Sequence, residues 1–270
     1  MSKTHRIYSV VTARLNCLAG PDKTRISRAT GFFLNYGAEL LLVTNDHVVS
    51  GLGQGDRKVI SKTGARPQWL EIVAQIPKNQ PPKLGSNEYQ TITFQMPLYR
   101  DLDCYLDPVW LSHPKLAHNV DIAIFRLNGT VLSSTNRPFS LEFPTELPNY
   151  QPMDRVFVIG YPLDTKDAPN SFPIYKSASV ASEPDYLGER PYILIDSKTK
   201  PGMSGSPIIL VRSADMKDLE NGTVRLSEEK HELIGVYSGR QSEAPNSFEA
   251  ELGLMWPIDN AIKPILETIV

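Results

Sequence analysis

Apolar positions along the chain come in short runs. Leu40–Val43, Ile122–Leu127, Val156–Ile159, Tyr192–Ile195, Pro207–Val211 and Leu233–Tyr237 are each bounded by turn residues. This is the pattern of short strands buried in a barrel or sandwich. Two further segments alternate. In 69–76, Leu70, Ile72, Ala74 and Ile76 share one face, and in 91–96 Ile92, Phe94 and Met96 do the same, the period of two expected of strands. Helical spacing occurs only at the end, where Ile258, Ile262, Ile265 and Leu266 recur with Asp259 in the first turn. Pro264 inside that pattern bends the helix or shifts its start. The polar stretches 77–90, 128–153 and 212–230, the last with an Asn221–Gly222 turn, read as loops or linkers. The strands thus form two groups and predict two β-subdomains, 1–135 and 136–270. Each is too small for much independent stability, so they should pack together as one domain.

Composition supports this picture. The 22 prolines and 17 glycines in 270 residues punctuate the chain too densely for long helices. A hydrophobic content of 41% supplies a core and excludes disordered and fibrous classes. The net charge of −2, without a basic run, argues against a nucleic-acid partner. No apolar run is long enough for a bilayer, and Arg6 and Arg14 interrupt an N-terminus without a leader-like core. A soluble cytoplasmic protein without a membrane partner is expected. Cys17 and Cys104 read as two free, buried thiols rather than a bridge. No Cys-x-x-Cys occurs, and His113 and His118 sit in a Pro-containing loop without a completing acid, so no metal site is expected.

Three segments carry candidate chemistry. In Gly202-Met203-Ser204-Gly205-Ser206-Pro207 a serine stands on a glycine-flanked bend. Such a bend can present an unhindered hydroxyl and exposed backbone N–H groups, the needs of an acyl-transfer nucleophile; an ordinary Gly/Ser turn has the same composition. His47 follows an apolar strand and is flanked by valines, placing an imidazole near a core edge where it can act as a base or simply be hydrogen bonded. Asp121 leads directly into the apolar run Ile122–Leu127. A buried carboxylate needs a partner, either a histidine N–H or local backbone donors.

Taken together, these segments resemble the trypsin-like serine peptidases of the chymotrypsin fold. The likeness is nearer to bacterial stress proteases and glutamyl endopeptidases than to disulfide-rich digestive enzymes. It rests on Thr30-Gly31-Phe32-Phe33, Leu42-Val43-Thr44 with His47-Val48-Val49, Asp121-Ile122-Ala123, the segment 202–207, and Leu233–Gly239, with Gly253-Leu254-Met255 and the final helix completing the pattern. The order His47, Asp121, Ser204 is the family's order. The resemblance implies an all-β fold of two packed six-stranded β-barrels with a short C-terminal α-helix. It also implies a serine endopeptidase acting on protein or peptide substrates, with no cofactor and no metal. His47, Asp121 and Ser204 would form the triad, and the backbone N–H groups of Gly202 and Ser204 the oxyanion hole. Ser238, Gly239 and Arg240 would pair with substrate backbone. Lys198, Thr199 and Tyr237 would approach the pocket for the residue before the cut, where a Lys198 cation would favour an acidic side chain.

Departures from the family pattern are informative. Asn45 and Asp46 stand where small residues are usual, and Asp46 either raises the basicity of His47 or faces solvent. Met203 replaces the acid that pairs with a freshly cut N-terminus in digestive members, so that activation route is not expected. The residues after Ser204 should be consumed by the remaining strands and helix, leaving no appended peptide-recognition domain; regulation would then come from loops, an oligomer or a partner. Two rival readings stand. One is a pseudoprotease that uses the fold as a binding scaffold. The other is an α/β-hydrolase esterase using Ser204, Asp215 or Asp218, and His231, which lacks both the helix after the nucleophile and the strand–helix alternation.

Overall fold

The computed structural model describes residues 5–54, 56–78, 89–130, 132, 137–162, 172–184, 191–212, 216–218, 224–226, 229–240 and 252–269. Most of loop 77–90, the Asn221–Gly222 turn, Asp215 and the side chains of Asp218 and Arg240 lie outside the described residues or atoms.

The N-terminal half is built on an antiparallel sheet. Its strands are β1 (Thr12–Ala19), β2 (Thr24–Tyr36), β3 (Glu39–Thr44), β4 (Trp69–Pro77), β5 (Tyr89–Pro97), β8 (Ala123–Arg126) and β9 (Leu141–Glu142), running in the order β5-β4-β1-β2-β3-β8. The short β9 adds in parallel to β2, so part of the expected 128–153 linker is strand. A small hairpin, β6 (Tyr99–Asp101) with β7 (Leu106–Pro108), precedes β8. The C-terminal half is a closed barrel of β10 (Arg155–Gly160), β11 (Ile174–Val180), β12 (Ile193–Asp196), β13 (Pro207–Arg212), β16 (Lys230–Arg240) and β17 (Leu252–Pro257). A separate ribbon pairs β14 (Met216–Asp218) with β15 (Val224–Leu226). The closed six-stranded barrel of the C-terminal half and the seven-stranded sheet, not six-stranded as expected, of the N-terminal half together fit the all-β double-barrel architecture of the chymotrypsin type. Among the described residues the only parallel pairing is the short β2–β9 contact, which does not make the parallel sheet of an α/β-class esterase.

The continuous apolar runs have a physical reason, because their strands are covered on both faces. In β3, Leu40 and Leu42 point into the core of the N-terminal sheet while Leu41 and Val43 point into a seam between the halves. In β8, Phe125 goes to the first core and Ile124 to the seam. In β13, Ile208 and Leu210 fill the C-terminal barrel while Ile209 faces the seam. Strand β5 is covered on one face only, and it alternates as the sequence does: Ile92, Phe94 and Met96 are half-buried and Thr93 and Gln95 exposed.

The seam is closed at its ends by helices. The C-terminal one begins with a π turn (Ile258–Ile262) and continues as α3 (Lys263–Leu266), with Ile258, Ile262, Ile265 and Leu266 all buried in the seam. Pro264 lies at the junction where the π turn passes into α3. An N-terminal helix, α1 (His5–Val11), was not expected, since a seven-residue segment is too short for its apolar positions Ile7, Tyr8, Val10 and Val11 to establish a period. It is held by tertiary contacts. Tyr8 and Val11 enter the seam, Ser9 Oγ lies 2.9 Å from the Tyr175 hydroxyl, and the Tyr8 ring stacks on His231. A third short helix, α2 (Asp46–Ser50), follows β3 and ends at Gly51, whose φ of +69° suits a left-handed cap.

Both cysteines are free. Cys17 is buried as expected, its thiol faces the Val48 carbonyl, and burial pushes its pKa up to about 11. Cys104 is exposed rather than buried, because it sits on the β6–β7 hairpin turn instead of inside a strand. Among the described residues, no helix is long and apolar enough to cross a membrane.

Candidate active site

The site forms where the end of β3, the start of β8, the turn before β13 and the end of β16 converge. Beyond Thr44 the chain extends through Asn45 and turns into α2, which carries His47 in its first turn. Asp121 is 1% exposed and just precedes β8, the neighbour of β3 in the sheet. Strand pairing thus brings His47 and Asp121 together despite their separation in sequence. The contact is two-pronged. The His47 backbone N–H donates to Asp121 Oδ1 at 2.8 Å, and His47 Nδ1 lies 2.7 Å from Oδ2. An ionised carboxylate only accepts, so Nδ1 carries the proton and Nε2 is left as the acceptor of the neutral ring.

Asp121 is itself held. The Asn45 amide donates to its main-chain carbonyl at 2.8 Å, and the Ser238 hydroxyl donates to Oδ2. Burial works to lower the His47 pKa, but the charge and hydrogen bond of Asp121, with a smaller contribution from Asp46, outweigh it. The net position lies above the ordinary histidine value. Asp46 does not face solvent. It is buried behind α2, paired with Arg57 at 2.5 Å, and accepts from Trp110 Nε1 and Ser50 Oγ. This carboxylate anchors the helix that presents His47.

Ser204 stands on the turn 201–205. Two glycines on this turn have positive φ, Gly202 at +97° and Gly205 at +84°. Met203 is buried in the C-terminal barrel core, so it anchors the turn by packing where a charged residue would need a partner. Ser204 is half-buried, and its Oγ lies 3.9 Å from where a Cβ on Gly239 would stand. The strand bearing Gly239 also bears Ser238, which touches Asp121; β16 thus links the Ser204 turn to the His47–Asp121 pair. Among the described residues, no hydrogen bond joins His47 to Ser204. Nor do the N–H groups of Gly202 and Ser204 meet an acceptor among those residues, so both remain available to a ligand.

The end of β16 has an open edge. Its ladder with β13 stops at Val236, and beyond it Tyr237 N–H donates to the Ser206 carbonyl at 2.9 Å and Gly205 N–H to the Tyr237 carbonyl at 2.8 Å. The register with β17 shifts between the pairs Tyr237–Met255 and Arg240–Gly253, which leaves Ser238 and Gly239 in a bulge between them. Among the residues expected near the pocket, Lys198 is exposed, whereas Thr199 and Tyr237 are buried and hydrogen bonded through their hydroxyls. The Tyr237 ring occupies the space beside Gly253, where a Cβ would come within 2.5 Å of Cε2.

Other histidines are accounted for differently. His113 Nδ1 accepts from the N–H groups of Lys115 and Leu116, which makes it part of a turn. His231 pairs with Glu229 and stacks on Tyr8. Sequence reasoning did not assign roles to Asn45, Arg57, Trp110 or Thr30. Asn45 carried a signal, since a polar residue between a buried strand and His47 must find a partner. Nothing in the sequence singled out Arg57.

The family model for the trypsin-like peptidase domain matches residues 29–214. Among solved structures the chain is similar to the Rv3671c protease from M. tuberculosis in its active form. The two share 17% identity over 98% of this chain and 83% of that one, with a TM-score of 0.49. No curated protein matches. With most of its length matched by the family model, the chain belongs to the trypsin-like peptidase domain family.

Proposed function

We propose that the protein is a serine endopeptidase that works through His47, Asp121 and Ser204 by way of an acyl-enzyme. The observation that carries this is the two-pronged hold of Asp121 on His47, through the backbone N–H and ring Nδ1, beside a serine on a glycine-flanked turn. His47 takes the Ser204 proton as Oγ attacks the peptide carbonyl, and then gives it to the leaving amine. The N–H groups of Gly202 and Ser204 receive the oxyanion, each such donor being worth about 3–4 kcal/mol of barrier. Water then releases the acyl group by the same proton path. Substrate backbone adds to the open edge at Ser238–Arg240. The absence of a His47–Ser204 hydrogen bond does not oppose this reading, because catalytic hydrogen bonds are often long before substrate binds. A cytoplasmic site of action is part of the proposal and rests on the two free thiols.

The test is a cleavage-site profile of a complex peptide mixture, wild type against Ser204→Ala, together with labelling by a fluorophosphonate. Wild-type products that vanish in Ser204→Ala, with label on Ser204, are the expected result. Identical products from both proteins overturn the nucleophile. No labelling and no products favour the scaffold reading. Enrichment of Asp or Glu before the cut would support an acidic preference, and its absence removes the role given to Lys198.

The pH dependence follows from the raised His47 pKa. His47 must be neutral to act as base, so kcat/KM should rise with pH along a limb centred above about 6.5, the ordinary histidine value. Stability runs the other way. The charged His47–Asp121 pair contributes fully below the unfolded-state pKa, and that contribution is lost as pH rises through the higher folded-state value. A pH–rate profile with an acid limb below 6 would contradict this.

A further inference from the structure

We infer that Thr30, on β2 of the N-terminal half, is a positioning residue that fixes the turn carrying Ser204 and its oxyanion donors relative to His47. The inference rests on the function proposed above.

Thr30 is fully buried and uses every polar group it has. Its N–H donates to the Ser204 carbonyl at 2.8 Å, and its hydroxyl donates to the Gly202 carbonyl at 2.8 Å. The same hydroxyl accepts the Tyr161 N–H at 2.9 Å, and its carbonyl accepts the Thr44 hydroxyl at 2.8 Å. One residue of the first half thus grips the turn of the second half at two points.

The two carbonyls belong to peptide planes on either side of the plane that carries the Ser204 N–H. Each plane is tied down again from within the C-terminal half. Met203 N–H donates to the Lys200 carbonyl at 3.3 Å, and Gly205 N–H donates to the Tyr237 carbonyl at 2.8 Å. With both flanking planes fixed, the Ser204 N–H between them has little freedom, and neither does the adjoining Gly202. Preorganisation of this kind is what makes an oxyanion donor effective. Through Thr44 the grip extends to the end of β3, from which the chain runs directly into the helix bearing His47.

The surroundings are shaped for this contact. A Cβ on Gly205 would stand 2.0 Å from the Thr30 carbonyl oxygen, and one on Gly160 would stand 2.7 Å from Thr30 Oγ1. Both positions are empty of side chain where Thr30 inserts. Thr30 touches no reacting atom, so its effect must pass through the turn.

The test compares Thr30→Val, which keeps the shape and loses the hydroxyl, with Thr30→Ser, which keeps the hydroxyl. Thr30→Val is expected to lower kcat by about ten- to a hundredfold with KM nearly unchanged, the mark of a contribution realised in the transition state. Its rate of fluorophosphonate labelling at Ser204 should fall in parallel, and Thr30→Ser should restore both. Wild-type kcat in a folded Thr30→Val overturns the inference, as does an equal loss in Thr30→Ser. If Thr30→Val does not fold, Thr30→Cys retains the size with a weaker donor and should lose turnover in the same direction; unchanged turnover there overturns the inference. Wild type and Ser204→Ala run alongside separate the two claims. Failure of the wild type to hydrolyse or label sinks the proposed function, whereas Ser204-dependent activity indifferent to Thr30 sinks only this one.

Discussion

Replacing Asp121 by Asn is expected to lower kcat by about ten-thousandfold while leaving the protein folded. The amide is nearly the same shape and keeps an oxygen for the His47 backbone N–H, now 2.8 Å from Oδ1. Its NH2 group then faces His47 Nδ1 and donates where the carboxylate accepted. The ring must answer with the other tautomer, placing its proton on Nε2, and it can no longer take one from Ser204. Removing the Asp121 charge also removes the main influence holding the His47 pKa up against burial, so any residual activity should have its acid limb shifted to lower pH. Steady-state kinetics beside circular dichroism checks this. Near-native turnover in folded Asp121→Asn would mean that the carboxylate only braces α2.

Gly205→Ala should be severely damaging for a single added methyl. The added carbon would overlap the Thr30 carbonyl oxygen at 2.0 Å and the Thr44 hydroxyl at 2.4 Å, at a φ of +84° that side chains rarely adopt. Backbone strain alone costs about 1–2 kcal/mol. Relieving the overlap forces the turn away from β2 and breaks the bonds from Thr30. The combined loss is expected to reach about 4 kcal/mol or more, read as a lower denaturant midpoint, with turnover lost even in the fraction that folds. A near-native midpoint would show that the seam can open there at little cost.

Much of the architecture could be read from the chain because its cause is local. Runs such as Leu40–Val43 are apolar at every position since β3 is sandwiched between a core and the seam, and β5 alternates since it is not. The segments around His47, Asp121 and Ser204 stood out because a polar residue set against an apolar strand needs an explanation. What could not be read depends on contacts across the fold. Helix α1 is held by Tyr175, His231 and the seam rather than by its own period. Cys104 is exposed because of a hairpin that the flanking sequence does not announce. Arg57 meets Asp46 only after the chain has looped back over α2. The expected proximity of Lys198 to the pocket was an argument from position; the buried groups there are the hydroxyls of Thr199 and Tyr237.

The seam has a consequence for how the molecule comes apart. Its buried residues among those described are drawn from both halves and from both terminal helices, so neither half can shed its partner without exposing a hydrophobic face. Partial states with one barrel intact and the other melted are therefore disfavoured, and the two behave as a single cooperative unit. Because His47 and Asp121 come from one side of that seam and Ser204 from the other, a half-folded species would hold only part of the candidate site.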